Sequence, residues 1–162
     1  MELREGGLDD PRVIALIAHH LAEARGSTPQ DNAHAMGVDG LRRSDISFWT
    51  AWEGDTLLGF GALRHLSTEH GEIKSMRTAP DQLRRGVARA ILAHLLSIAH
   101  ARGYVRVSLE TGTAPMFDAA NRMYEAAGFV DGPVFGGYPK SAHNRFMTMP
   151  LARGRVSAGS DI

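Results

Sequence analysis

The sequence predicts a mixed α/β domain, and three observations predict it. Residues 47–78 carry three strand signals separated by short turns, the pattern of an antiparallel meander. Residues 72–109 then run strand, helix, strand, an order that requires a parallel pair joined by a right-handed crossover. A second helix, Pro115 to Ala127, is followed by two more strand signals. The result is a mixed, mostly antiparallel sheet flanked by helices.

The 162 residues suit one domain with a real core. We expect it to span 1–151, with 152–162 a frayed polar tail. Hydrophobic residues make up 43% and charged residues 22%, ordinary for a globular chain. Acidic and basic residues balance at 18 each, which argues against bulk attraction to nucleic acid or a membrane surface. No cysteine is present, so disulfides, thiolate metal sites and a cysteine nucleophile are excluded. The charged start MELREGGLDD is no signal peptide, and no apolar run approaches the roughly 20 residues of a membrane span. These features point to the cytoplasm.

The elements follow in order. Met1 to Arg4 reads as a short strand. Asp9 or Asp10 caps a helix with Pro11 at its first position, and Val13, Ile14, Leu16, Ile17 and Leu21 recur at helical spacing. A short helix is expected near Asn32 to Met36, beside His34. Ser47 to Trp52 alternates and is aromatic; Glu53-Gly54-Asp55 signals a hairpin; Thr56 to Leu63 is its partner, with two glycines that allow a neighbour to approach closely. Ser67 to Gly71 turns into the strand Glu72 to Thr78. Gly86 to Arg102 is the strongest helix, stopped by Gly103, and Tyr104 to Leu109 is the next strand. Gly128 ends the helix Pro115 to Ala127; Phe129-Val130 and Asn144 to Leu151 are the last strands, joined by a glycine-rich loop over 131–143. His19 and His20 are adjacent and point to different sides of a helix, and no metal is expected.

The turn Leu83-Arg84-Arg85-Gly86-Val87-Ala88 feeds the strongest helix. Free N–H groups of a first helical turn and the helix dipole attract anions, and Arg84, Arg85 and Arg89 add full charges that suit phosphate. A solvated basic turn is the plainer alternative. The stretch lacks the Gly-Lys-Ser/Thr of a nucleotide-hydrolase loop.

This turn, the order of elements and the later MYEAAGF of Met123 to Phe129 resemble the GNAT superfamily of acyl-CoA-dependent N-acetyltransferases over roughly Glu2 to Leu151. GEIKSMRT, SLETG and the FGGY segment are similar to a small bacterial subgroup labelled YsnE-like or indole-acetic-acid acetyltransferases. The resemblance implies a sheet splayed between its fourth and fifth strands, with acetyl-CoA as co-substrate in the V. It implies backbone contacts from Met76 and Thr78 to the acetyl and pantetheine amides. It also implies a pyrophosphate cradle at Arg84, Arg85, Gly86, Val87, Ala88 and Arg89. Leu83 stands where the family carries Gln or Arg, and Phe117 where it often carries Asn. Dimerisation through strands near the C-terminus is common in the family, so a homodimer is compatible with the resemblance.

Acetyl transfer to an amine needs a proton acceptor, an oxyanion donor, a proton donor for the departing thiolate, and juxtaposition of the substrates. Glu72 is the first candidate for the base and Glu110 the second; a surface strand glutamate and a solvated loop acid are the alternatives. By strand alternation Glu72, Lys74, Met76 and Thr78 share a face unless a bulge intervenes. Lys74 pairs with one of these acids or binds a substrate carboxylate. Tyr124 matches the family's tyrosine, the proton donor to the leaving thiolate; Met76 N–H would meet the oxyanion. Phe135, Tyr138 and His34 are candidate acceptor contacts, while Trp49 and Trp52 are core or pocket. The expected function is acetyl transfer from acetyl-CoA to a small-molecule amine by direct attack in a ternary complex. The alternatives are a protein or peptide amine acceptor, and a CoA-binding sensor without transfer.

Overall fold

The structure, a computed structural model, describes residues 1–27 and 36–152. His34, nearly all of the short helix expected near 32–36 and the expected tail from 153 onward lie outside the described residues.

One sheet organises the chain. Its strands are β1 (Glu2–Glu5), β2 (Ile46–Glu53), β3 (Thr56–Ser67), β4 (His70–Thr78), β5 (Arg106–Gly112), β6 (Val130–Asp131) and β7 (Asn144–Pro150), in the order β1-β2-β3-β4-β5-β7-β6. β4 and β5 are parallel and the other pairs antiparallel, as the meander and the crossover require. The helices are α1 (Pro11–Ser27), α2 (Val38–Leu41), α3 (Val87–Ala101) and α4 (Asp118–Ala127). Asp10 caps α1: its Oδ1 accepts from the Arg12 N–H at 2.9 Å. None of the described helices is long and apolar enough to cross a membrane.

Several boundaries depart from the sequence pattern, among them the start of β4 at His70 instead of Glu72 and the end of β5 at Gly112 instead of Leu109. β3 runs on to Ser67, because Arg64 and His65 pair with Glu72 and Gly71 on β4. Tyr104 precedes β5 instead of starting it; its ring is buried and its hydroxyl lies 2.6 Å from His65 Nδ1. Pro115–Phe117 forms a separate 3-10 turn ahead of α4.

The sheet's two faces carry different cores. Leu63, Ile73, Val107, Leu109 and Met147 pack with α3 residues Ile91, Leu92 and Leu95 on one side. Phe48, Trp52, Phe60 and Ala62 pack with Val13, Leu16 and Ile17 of α1 and with Leu41 on the other. Trp49 and Trp52 are both buried core, one in each cluster, and not pocket walls. The neighbour admitted by the β3 glycines is α3. A Cβ on Gly61 would stand 2.6 Å from Ile91 Cγ2 and 3.1 Å from Leu95 Cδ1. Overpacking of that kind costs about 1–3 kcal/mol, so Gly61→Ala should lower the denaturant midpoint accordingly without changing its slope. An unchanged midpoint would mean that α3 is not held against β3 at this distance.

Candidate active site

The parallel pair comes apart. β4 and β5 are in register from His70↔Arg106 to Ile73↔Leu109, and there the pairing ends, although β4 continues to Thr78 and β5 to Gly112. Beyond that point β4 stays with β3 and β5 stays with β7. The facing edges enclose a cleft of about 260 Å³ between β4, β5, α1 and α4. Strand edges without a partner present N–H and C=O groups to whatever lies between them. An extended chain carrying amides fits such an edge.

A bulge sets which side chains enter the cleft. Pairing slips from Ala62↔Lys74 to Phe60↔Arg77, and Ser75 takes φ 54°. One extra residue reverses the alternation. Glu72 and Lys74 therefore share a face with Arg77, which reaches Glu23 of α1 at 2.7 Å. Met76 goes to the opposite face: a Cβ on Gly61 would lie 3.2 Å from Met76 Cγ, beside Ile91 and Leu95. The expectation that Glu72, Lys74, Met76 and Thr78 share one face is corrected by this bulge.

Glu72 is 1% exposed and sits in the middle of the sheet. The Tyr138 hydroxyl donates to its Oε2 at 3.0 Å, and Lys74 Nζ donates to that hydroxyl. Lys74 Nζ lies 3.7 Å from Glu72 Oε2, and Arg64 Nη1 lies 3.5 Å from Oε1. Burial pushes the Glu72 carboxyl above the ordinary carboxylate range, against the pull of Lys74, Tyr138 and Arg64. Burial likewise lowers the Lys74 ammonium, against Glu72 and Glu110. Tyr138 stays protonated, raised chiefly by burial and then by Glu72. Lys74 thus lies beside the Glu72 carboxylate and is tied to it through the Tyr138 hydroxyl.

Other expected residues are spread around this network. Glu110 lines the cleft from β5 and accepts from Asn144 Nδ2 at 2.8 Å. Tyr124 lines it from α4, edge-on to Phe129, and burial pushes its phenol up to about 12. Phe135 is not among the cleft-lining residues; it packs edge-on to Tyr138 and Phe146, behind the network. Asn121 ties α4 to β5, accepting from Thr111 Oγ1 and donating to the Gly112 carbonyl. Phe117 packs against Gly112, where a Cβ would stand 2.2 Å from its ring.

The basic turn has the shape of an anion nest. Arg84 at φ 64° and Gly86 at φ 78° are left-handed, and nothing lies within 4 Å of a Cβ built on Gly86. The first helical acceptor of α3 is Gly86 O, taken by Ala90 N–H, so the N–H groups of Val87, Ala88 and Arg89 precede the helical ladder. Arg85 is turned to Glu53 at 2.9 Å and to Gln82, which leaves the charge nearest the turn to Arg84 and Arg89. Leu83 is exposed. The N–H array and open space fit a phosphate group.

The residues matched by the acetyltransferase (GNAT) family model are 14–129, which contain the splayed pair and the nest. The chain belongs to the GNAT family of acetyltransferases. It is 43% identical over 151 residues to YsnE of Bacillus subtilis, described as an uncharacterized N-acetyltransferase, covering 93% of this chain and 100% of that one. It is 31% identical to the IAA acetyltransferase of Azospirillum brasilense, covering 91% and 95%. The fold matches a solved Klebsiella pneumoniae protein at TM-score 0.74 and 22% identity, covering 93% and 97% of the chains. It also matches a GNAT acetyltransferase from Elizabethkingia anophelis with acetyl-CoA bound, at TM-score 0.65 and 15% identity, covering 93% and 97%.

Sequence reasoning missed Arg64, Arg77, His20 and Asn144. Arg64 and Asn144 reach it through strand register, Arg77 through the bulge and His20 from helix α1, and nothing in their local sequence marks them. His20 lines the cleft from α1, and burial first, then Arg77, lowers its imidazole from 6.5 to about 4. A histidine depressed in the folded state binds fewer protons than the unfolded chain between those values. Its contribution to stability is therefore complete above about pH 6.5 and is lost as pH falls toward about 4. Thermal unfolding across that window should show the loss, and His20→Gln should flatten it. A variant with the parent's slope would assign the acid sensitivity elsewhere.

Proposed function

We propose that the protein acetylates the amine of a small-molecule acceptor with acetyl-CoA, both bound at once. The observation that carries this reading is a buried carboxylate, Glu72, at the wall of a cleft opened between two strands of a GNAT sheet. The cleft, at about 260 Å³, lies below the roughly 300 Å³ at which ligand pockets begin, which favours a small acceptor over a large one. Acetyl-CoA supplies the activated acyl group: the acceptor nitrogen bonds to its carbonyl carbon as the carbon–sulfur bond breaks.

The chain's own groups divide the remaining work. Glu72 takes the proton that the nitrogen sheds. Its raised affinity for protons makes it a better base than an exposed glutamate. Lys74, Tyr138 and Arg64 hold the carboxylate in place and limit the cost of its charge. Glu110 lines the same cleft as a second acid. The Met76 N–H meets the carbonyl oxygen, and Thr78 follows along the extended pantetheine chain. Tyr124, protonated throughout the neutral range, holds the proton that the departing sulfur takes. The N–H groups of Gly86, Val87, Ala88 and Arg89, with Arg84, cradle the pyrophosphate.

Initial rates with acetyl-CoA and a panel of small amines test the reading. In the parent, kcat/KM should rise with pH as Glu72 ionises, at a pH above the ordinary carboxylate range. Glu72→Gln should remove that limb and cost about 10²–10⁴-fold in rate, while calorimetric titration shows acetyl-CoA affinity unchanged. A variant of parental rate would end the base assignment. Tyr124→Phe should lower kcat about 10²-fold with the same unfolding midpoint; parental kcat would transfer the acid role to another group.

A further inference from the structure

We infer that the acceptor carries a carboxylate several bonds from its amine, bound by Arg77, His20 and Ser75 while the amine faces Glu72. This rests on the acetyl-transfer reading above. Among the described residues, five buried side-chain polar atoms lack a hydrogen-bond partner. Four of them, His20 Nδ1, Glu72 Oε1, Ser75 Oγ and Arg77 Nε, belong to residues lining the one cleft. A buried polar atom left unpaired is costly, and native structures keep few of them. Glu72 Oε1 keeps only the Arg64 guanidinium, at 3.5 Å, and the other three, around one cleft, are accounted for by a ligand that supplies their partners.

Their chemistry describes that ligand. The Arg77 Nε–H only donates, the Ser75 hydroxyl donates readily, and a neutral His20 places its one N–H according to tautomer. Ionised Glu72 only accepts. One end of the cleft thus offers donors to an anion and the other an acceptor to an amine. A carboxylate oxygen pair suits the clustered donors, and a guanidinium is the strongest of them. Glu23, about 39% exposed, occupies Arg77 Nη2 at 2.7 Å and fixes the guanidinium with Nε uncommitted. Its own charge is screened by solvent.

The bulge makes the two ends face the same space, because without it Arg77 would point to α3. Arg64 and Phe60, the β3 partners of Glu72 and Arg77, are four positions apart, on the order of 13 Å of strand at about 3.3 Å per residue. That span exceeds the amine–carboxylate spacing of an α-amino acid, whose two groups share one carbon.

The test compares ε-aminocaproate with its amide, with hexylamine and with glycine. Calorimetric titration of CoA-loaded protein reads binding, and initial rates with acetyl-CoA read KM. ε-Aminocaproate should bind with Kd and KM about 10- to 100-fold below those of the amide and hexylamine, the value of hydrogen bonds to a charged group, and should surpass glycine. Arg77→Met should erase the preference. Ser75→Gly removes the hydroxyl while keeping the left-handed backbone, and should reduce the preference several-fold. Equal affinity for acid and amide, glycine as the better ligand, or a preference that survives Arg77→Met overturns the proposal. Binding needs no turnover, so a failure of acetyl transfer strikes the earlier reading, and a missing carboxylate preference strikes this one.

Discussion

The end of pairing between β4 and β5 is the constraint on which the site depends. Past Ile73 and Leu109 each strand keeps only its outer neighbour. The inner edges then hold backbone donors and acceptors that the sheet does not use, inside a region otherwise packed with side chains. Any single-chain sheet would gain by closing that gap. Here β5 is held to β7 over seven register pairs, and β4 bends away through the bulge at Ser75. The gap is the cleft.

The bulge has a second effect, on charge. It leaves Glu72, Lys74 and Arg77 on one face, with Arg64 opposite Glu72 on β3. Taking a carboxylate and an ammonium out of water costs several kcal/mol per ion. The neutral hydroxyl of Tyr138 sits between them, accepting from Lys74 and donating to Glu72, so each charge has a hydrogen-bonded partner there. Removing Glu72 or Lys74 leaves the other charge buried with one counter-charge fewer. A buried pair of this kind is poor evidence of stability, and its position in the cleft wall is the physical reason to give it a chemical role.

The nest at α3 and the network on β4 are built by different means. The nest needs only local geometry: two left-handed residues, Arg84 and Gly86, and a helix start. The network needs distant segments. Tyr138 comes from the loop after β6, turned inward through Gly136 and Gly137, and Phe135 and Phe146 brace its ring. The two are close along the chain, because β4 leads through a short 3-10 turn, Pro80–Gln82, into the turn that starts α3.

The division between sequence and tertiary structure follows from range. The meander, the parallel crossover, the capped α1 and the nest turn were legible in the sequence, since periodicity, turn residues and helix punctuation are local signals. Glu72, Lys74 and Tyr138 were legible as candidates from their place on a strand or a glycine-rich loop, and Tyr124, on α4, from the family resemblance. The sequence alone determined the family and the order of its elements. What only the tertiary structure decided is the company these residues keep. The bulge at Ser75 has no sequence mark, yet it moves Met76 to the α3 side and Arg77 to the cleft. Arg64 and His20 enter through strand register and helix rotation, and Phe135 is drawn behind Tyr138 by ring packing. Those outcomes come from contacts between segments far apart in the chain, where one residue of slip changes the face of every side chain after it.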